Sequence, residues 1–126
     1  MEKKKIILMI KNITIVGLGY VGFSLSVLIS QKYKVIGLDI DKEKVDNINK
    51  KNSPIVDTDM INFLTNKNLQ LEATVDSTYA FSNADLIIIA VPTNYSSKSQ
   101  EFDTEVVKSV ITSILKVNKN ATIVIK

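Results

Sequence analysis

At 126 residues and 45% hydrophobic content, the chain is long enough for one small domain with a real core. It has no cysteine and no histidine, so disulfides, thiolate zinc sites, nucleophilic cysteine and histidine acid–base catalysis are excluded within these residues. The net charge of +3 arises in residues 1–11, where Lys3, Lys4, Lys5 and Lys11 outweigh Glu2. Residues 12–126 balance, and with no arginine the chain carries no nucleic-acid footprint.

Residues 1–11 read as an extension ahead of the first strand. Ile6 to Ile10 is too short for a signal peptide or a bilayer span, so no membrane is expected and the location reads as cytoplasmic. Ile13 to Val16 is a strand, and it runs into Gly17-Leu18-Gly19-Tyr20-Val21-Gly22. A helix from Phe23 to Gln31 follows, with Val21, Leu25, Leu28 and Ile29 as its expected inward face. Strand, Gly-x-Gly-x-x-Gly turn and helix in succession are the setting in which this spacing means dinucleotide binding. Gly17 allows the tight turn, Gly19 lets backbone approach a pyrophosphate, and Gly22 lets the helix lie close to the strand. The helix N-terminus then offers free N–H groups to phosphates.

Val35 to Asp39 is a second strand, and Asp39 stands at its carboxyl end, seventeen residues beyond Gly22. That is about where an acid should meet the ribose hydroxyls of an adenosine, roughly twenty residues on. Its charge would repel a 2′-phosphate, which favours NAD over NADP. Helix capping is the competing role for Asp39, although Asp41 is better placed for it. Lys44, one turn into the next helix, is an ordinary solvated lysine unless the cofactor reaches it.

The helix from Asp41 to Lys51 points Val45 and Ile48 inward and breaks at Ser53-Pro54. Asp57 caps a short helix through Leu64, with Met60, Ile61 and Leu64 inward. Leu69 to Val75 alternates like an edge strand, and Asp76 to Asn83 suits a short helix. Asp85 to Val91 is continuously apolar, so buried on both faces. It exits through Pro92-Thr93-Asn94-Tyr95 into a polar loop. Thr93, outside a strand's carboxyl end, is placed either to meet the cofactor or to satisfy its own turn. Asp103 caps a helix with Val106, Val107, Val110, Ile111, Ile114 and Leu115 as its apolar face. Ala121 to Ile125 is a last strand.

Five strands alternating with helices, without a hairpin signal, predict an α/β fold: a doubly wound parallel sheet of order 3-2-1-4-5, truncated before a sixth strand. Nothing in the pattern suggests a metal site. The alternation stops inside a strand, which reads as a piece of a longer protein.

Taken together, ITIVGLGYVG at Ile13–Gly22, LDID at Leu38–Asp41, SPIVD at Ser53–Asp57 and AVPTNY at Ala90–Tyr95 resemble the UDP-glucose/GDP-mannose dehydrogenase family, and within it the N-terminal NAD-binding domain of UDP-glucose 6-dehydrogenases. The resemblance covers residues 12–126. It implies a cytoplasmic, homodimeric enzyme that oxidises the C6 hydroxyl of UDP-glucose to a carboxylate with two NAD, a cysteine capturing the aldehyde between the two oxidations. That cysteine, the dimerisation helix and the UDP-sugar domain would lie outside these residues, so the chain alone should be inactive. Carried over by position, Gly17, Gly19, Tyr20, Val21 and Gly22 form the pyrophosphate turn. Asp39 takes the ribose, Lys44 contacts the cofactor from the same side, and Thr93 meets it near its nicotinamide half; none is catalytic. Two other readings stay open: an NAD-binding regulatory sensor of the potassium-transport type, and another NAD dehydrogenase such as a hydroxyacid or 6-phosphogluconate type.

Overall fold

The structure, a computed structural model, describes residues 10–66, 68–92, 95–96, 101–102 and 104–126. β1 (Asn12–Val16) leads into α1 (Tyr20–Ile29), followed by β2 (Lys34–Leu38), α2 (Lys42–Asn49), α3 (Thr58–Asn66) and β3 (Leu71–Thr74). Then come α4 (Ser77–Ser82), β4 (Leu86–Ile89), β5 (Tyr95–Ser96), β6 (Glu101–Phe102), α5 (Glu105–Val117) and β7 (Thr122–Ile125). Five strands pair in parallel in the order β3-β2-β1-β4-β7, which is the expected 3-2-1-4-5 counted over sheet strands alone. This is a Rossmann-like doubly wound sheet. Outside that sheet β5 and β6 pair antiparallel, Tyr95 opposite Phe102, where only a polar loop was foreseen. Two residues a side are too few to show alternation.

Successive residues of a strand face opposite sides, and both sides here are apolar. Ile13, Ile15 and Val35 pack with Leu25, Ile29 and Tyr33 on the α1 side. Val16, Leu38, Ile87 and Ile89 pack with Ala80, Phe81 and Ile114 on the side of α4 and α5. Phe23 and Phe81, one on each side, are fully buried; truncating either to alanine would cost about 3–5 kcal/mol.

α1 turns a different face inward than the periodicity suggested. Gly22, Phe23, Ser26 and Val27 are buried, Leu25 and Ile29 partly so, whereas Val21 and Leu28 are 49% and 51% exposed. The helix is apolar nearly all round, so its pattern does not fix its phase. Its two core serines are satisfied locally: Ser26 Oγ donates to the Gly22 carbonyl at 2.7 Å and Ser30 Oγ to that of Val27 at 3.1 Å. Ile61 on α3, and Val106 and Leu115 on α5, are likewise exposed rather than inward, while Leu64, Val107 and Ile114 are buried. Those three flank the buried stripe of their helices. Asp103 lies outside the described residues, and Thr104 stands at the N-cap of α5, its own side chain making no cap hydrogen bond. Asp41, Asp57 and Asp76 do accept hydrogen bonds from first-turn amides of α2, α3 and α4.

Three side chains unnoticed in the sequence hold the elements together. Asp85 accepts from the amides of Lys11 and Asn12 at 3.0 and 2.9 Å, tying the start of β1 to that of β4. Asn49 on α2 pairs with both backbone groups of Ala73, donating at 2.9 Å and accepting at 2.8 Å, so it covers the open edge of β3. Asn118 uses its whole amide: Nδ2 donates to the carbonyls of Phe81 and Ala84 at 2.8 and 2.9 Å, and Oδ1 accepts from the amides of Asn120 and Ala121. It locks the end of α5 to the end of α4. Asn118→Ala strands four backbone groups, so urea denaturation should show a loss of about 2–3 kcal/mol; a loss below about 0.5 kcal/mol, the range of an ordinary surface change, would contradict this.

Candidate functional site

The carboxyl ends of β1, β2 and β4 open on a cleft of about 870 Å³, within the range that holds an organic cofactor. Its rim begins where β1 ends. The Gly17 amide donates to the Leu38 carbonyl at 2.8 Å, and the Ala90 amide to the Val16 carbonyl at 2.8 Å, so the turn hangs between its two neighbouring strands. Gly17 has φ +93°, and a Cβ there would sit 2.8 Å from the Ala90 carbonyl oxygen. A Cβ on Gly22 would lie 1.7 Å from the Gly17 carbonyl oxygen, which no adjustment of side chains could relieve. Both glycines are demanded by the protein itself.

Gly19 differs. Its φ is −73°, and a Cβ added to it would meet nothing within 4 Å. The space above it is the cleft. Gly19 is also the N-cap of α1, and among the described residues no side chain caps that helix, so its first-turn amides are open to solvent or to a ligand. Tyr20 and Val21, both exposed, line the cleft beside it. That placement explains why Val21 does not turn into the core.

Asp39 stands at the tip of β2 with its side chain 12% exposed. Its Oδ2 accepts from the Leu18 amide at 2.8 Å, in the middle of the glycine turn, and its Oδ1 accepts from the Asp41 amide at 2.9 Å. The capping role belongs to Asp41, whose Oδ1 accepts from the Lys44 amide at 3.2 Å. Asp39 therefore pins the turn to the neighbouring strand and still presents a carboxylate edge to the cleft. Lys44 is not a solvated lysine: its Nζ lies 3.7 Å from Asp39 Oδ2 and its side chain is 28% exposed. Gly17, Gly19, Tyr20, Val21, Asp39 and Lys44 thus border one cleft, and Gly22 supports it from behind. Thr93 lies outside the described residues; Val91 and Pro92, just before it, line the cleft.

Other participants were not singled out in the sequence. Gly37 in β2 lets the Leu18 side chain lie over it: a Cβ would meet Leu18 Cδ2 at 2.8 Å. A glycine inside a strand two residues before Asp39 was a readable sign of close approach. Phe81, Val106, Ser109 and Val110 close the far wall. They come from helices remote in sequence, which only the crossover topology brings to the cleft, so no local signal marks them. The amides at α1 can hold an anion, Asp39 can accept from a diol, and the apolar far wall can hold a flat ring. Among the described residues no cluster of His, Cys, Asp and Glu with the makings of a metal site occurs.

A model of the NAD-binding domain of the UDP-glucose/GDP-mannose dehydrogenase family matches residues 11–126. UDP-glucose 6-dehydrogenase of Streptococcus pneumoniae is 42% identical over 115 residues, which is 91% of this chain and 29% of that protein. UDP-N-acetyl-D-mannosamine dehydrogenase of Campylobacter jejuni is 34% identical over 117 residues, 90% of this chain and 28% of that protein. Among solved structures, a ternary complex of GDP-mannose dehydrogenase from Pseudomonas aeruginosa superposes with a TM-score of 0.77 at 31% identity, covering 90% of this chain and 27% of that one. The chain spans less than a third of the length of these relatives.

The contrast among the glycines is testable by chemical denaturation. Gly22→Ala should cost at least about 3 kcal/mol, because backbone must move to admit the methyl group. Gly17→Ala should cost about 1–3 kcal/mol, and Gly19→Ala no more than about 1 kcal/mol, the loss of a tolerable N-cap. Equal losses at Gly19 and Gly22 would contradict the geometry.

Proposed function

The chain belongs to the UDP-glucose/GDP-mannose dehydrogenase family as its NAD-binding domain, and from that premise we propose that its glycine turn and Asp39 hold NAD for the oxidation of UDP-glucose to UDP-glucuronate. The observation that carries the cofactor site is Gly19, whose missing Cβ opens onto the cleft rather than onto protein. Amides of Gly19, Tyr20 and Val21 would receive the pyrophosphate, and the α1 dipole favours that charge. Asp39 would accept from the adenosine ribose hydroxyls, with Lys44 beside it, and Thr93 would meet the nicotinamide half. When bound, NAD supplies a hydride acceptor. The chain's own residues bind it, orient it and line its adenosine end with apolar side chains.

The choice of sugar rests on the greater identity to UDP-glucose 6-dehydrogenase of Streptococcus pneumoniae than to the mannosamine enzyme of Campylobacter jejuni. Family membership leaves the regulatory-sensor reading without support. Sugar binding, aldehyde capture and dimerisation belong, in this proposal, to parts of a longer enzyme, since these 126 residues contain no cysteine to capture an aldehyde.

Calorimetric titration of the chain with NAD should give saturable binding, weakened about tenfold or more by Gly19→Ala or Asp39→Ala and by less in Lys44→Ala. An undiminished affinity in Gly19→Ala, or a larger loss from Lys44→Ala than from Asp39→Ala, would contradict the assignment. Incubation of the same chain with NAD and UDP-glucose should produce no sustained rise in the absorbance of reduced nicotinamide. Sustained turnover would show that the chemistry does not need a further domain.

A further inference from the structure

The Asp39–Lys44 pair has an asymmetry that bears on cofactor choice. Asp39 is held by two backbone hydrogen bonds, from Leu18 N at 2.8 Å and Asp41 N at 2.9 Å, so the carboxylate is fixed in place. Among the described residues the Lys44 ammonium is held only by charge: its Nζ stands 3.7 Å from Asp39 Oδ2, beyond hydrogen-bond reach, at the end of a flexible stem. The neighbouring Lys42 pairs with Asp46 instead, at 3.6 Å. Lys44 also lines the cleft in its own right, next to Ile40 and Asp39. A fixed anion and a movable cation thus share the position where a ribose would present its 2′ substituent.

We propose that Lys44 is a latent contact for a 2′-phosphate, one that Asp39, beyond the repulsion already ascribed to its charge, keeps from that phosphate by pairing with the lysine. This rests on the NAD reading above. A ribose hydroxyl can donate to Asp39 and leave the pair intact, because a carboxylate has about four acceptor positions. A phosphate offers only acceptors and meets a carboxylate that cannot withdraw. Removing the charge of Asp39 releases Lys44 to form a charge-assisted hydrogen bond with the phosphate. The chain holds no arginine to take that part.

The test is a double-mutant cycle on the 126-residue chain, with NAD and NADP as titrants and circular dichroism to confirm the fold. Wild type should bind NAD, with NADP weaker by about thirtyfold or more; Asp39→Asn should tighten NADP about tenfold; and Lys44→Ala in that background should return most of the gain. Asparagine keeps an oxygen for the Leu18 amide and gives up the acceptor for the Asp41 amide, which is why the fold is checked. Should Asp39→Asn not fold, Asp39→Ser, whose hydroxyl can accept from the Leu18 amide, takes its place in the same cycle with Lys44→Ala. NADP affinity in the uncharged Asp39 variant that is indifferent to Lys44 would overturn the proposal and leave the NAD reading standing. A wild-type chain that binds neither nucleotide would overturn both.

Discussion

No side chain fits between the start of α1 and the turn that precedes it. The Gly22 Cα lies against the Gly17 carbonyl so closely that a methyl group would sit 1.7 Å from the oxygen. This contact sets how near α1 lies to the sheet, and therefore which of its faces is buried. It also sets where its free amides point. With Gly22 innermost, Ser26 and Ser30 fall on the same inner face at four-residue intervals, and Tyr20 and Val21 are left at the cleft. Asp39 completes the arrangement by bonding the Leu18 amide from the next strand, so the turn is held from both sides.

The domain's glycines divide into those where a Cβ would strike protein and Gly19, where it would not. Gly17 and Gly22 answer to Ala90 and to each other. Gly37 answers to Leu18. A Cβ on Gly19 meets nothing among the described residues and would point into the cleft. That is the physical link between this fold and a family named for binding NAD.

Sheet order, the glycine turn, the place of Asp39 at the end of β2 and the helix caps at Asp41 and Asp57 were legible, because each depends on local spacing or on alternation; the cap at Asp76 was not read. The phase of α1 was misjudged because its apolar residues lie on every side. Yet the close approach expected of Gly22 already implied that Gly22, not Val21, points inward. Using the glycine rather than the hydrophobic pattern would have fixed the phase. Asn49, Asp85 and Asn118 bond across 24 to 74 residues of sequence, and an asparagine or aspartate at a helix end or loop looks the same with or without such a partner. The ion pair between Lys44 and Asp39 was hidden for a similar reason: a lysine in a first helical turn is ordinarily solvated, and only the fold sets it against the β2 tip.

The central claim is that backbone amides at the opening of α1 receive the phosphates of NAD. Amide-resolved NMR of the ¹⁵N-labelled chain during titration with NAD tests it most directly. The account predicts that the largest shifts fall on Gly19, Tyr20 and Val21, with smaller ones at Asp39 and Ile40 and little change along α3 or β7. Shifts centred away from α1 and β2, or a spectrum unmoved by NAD, would contradict it.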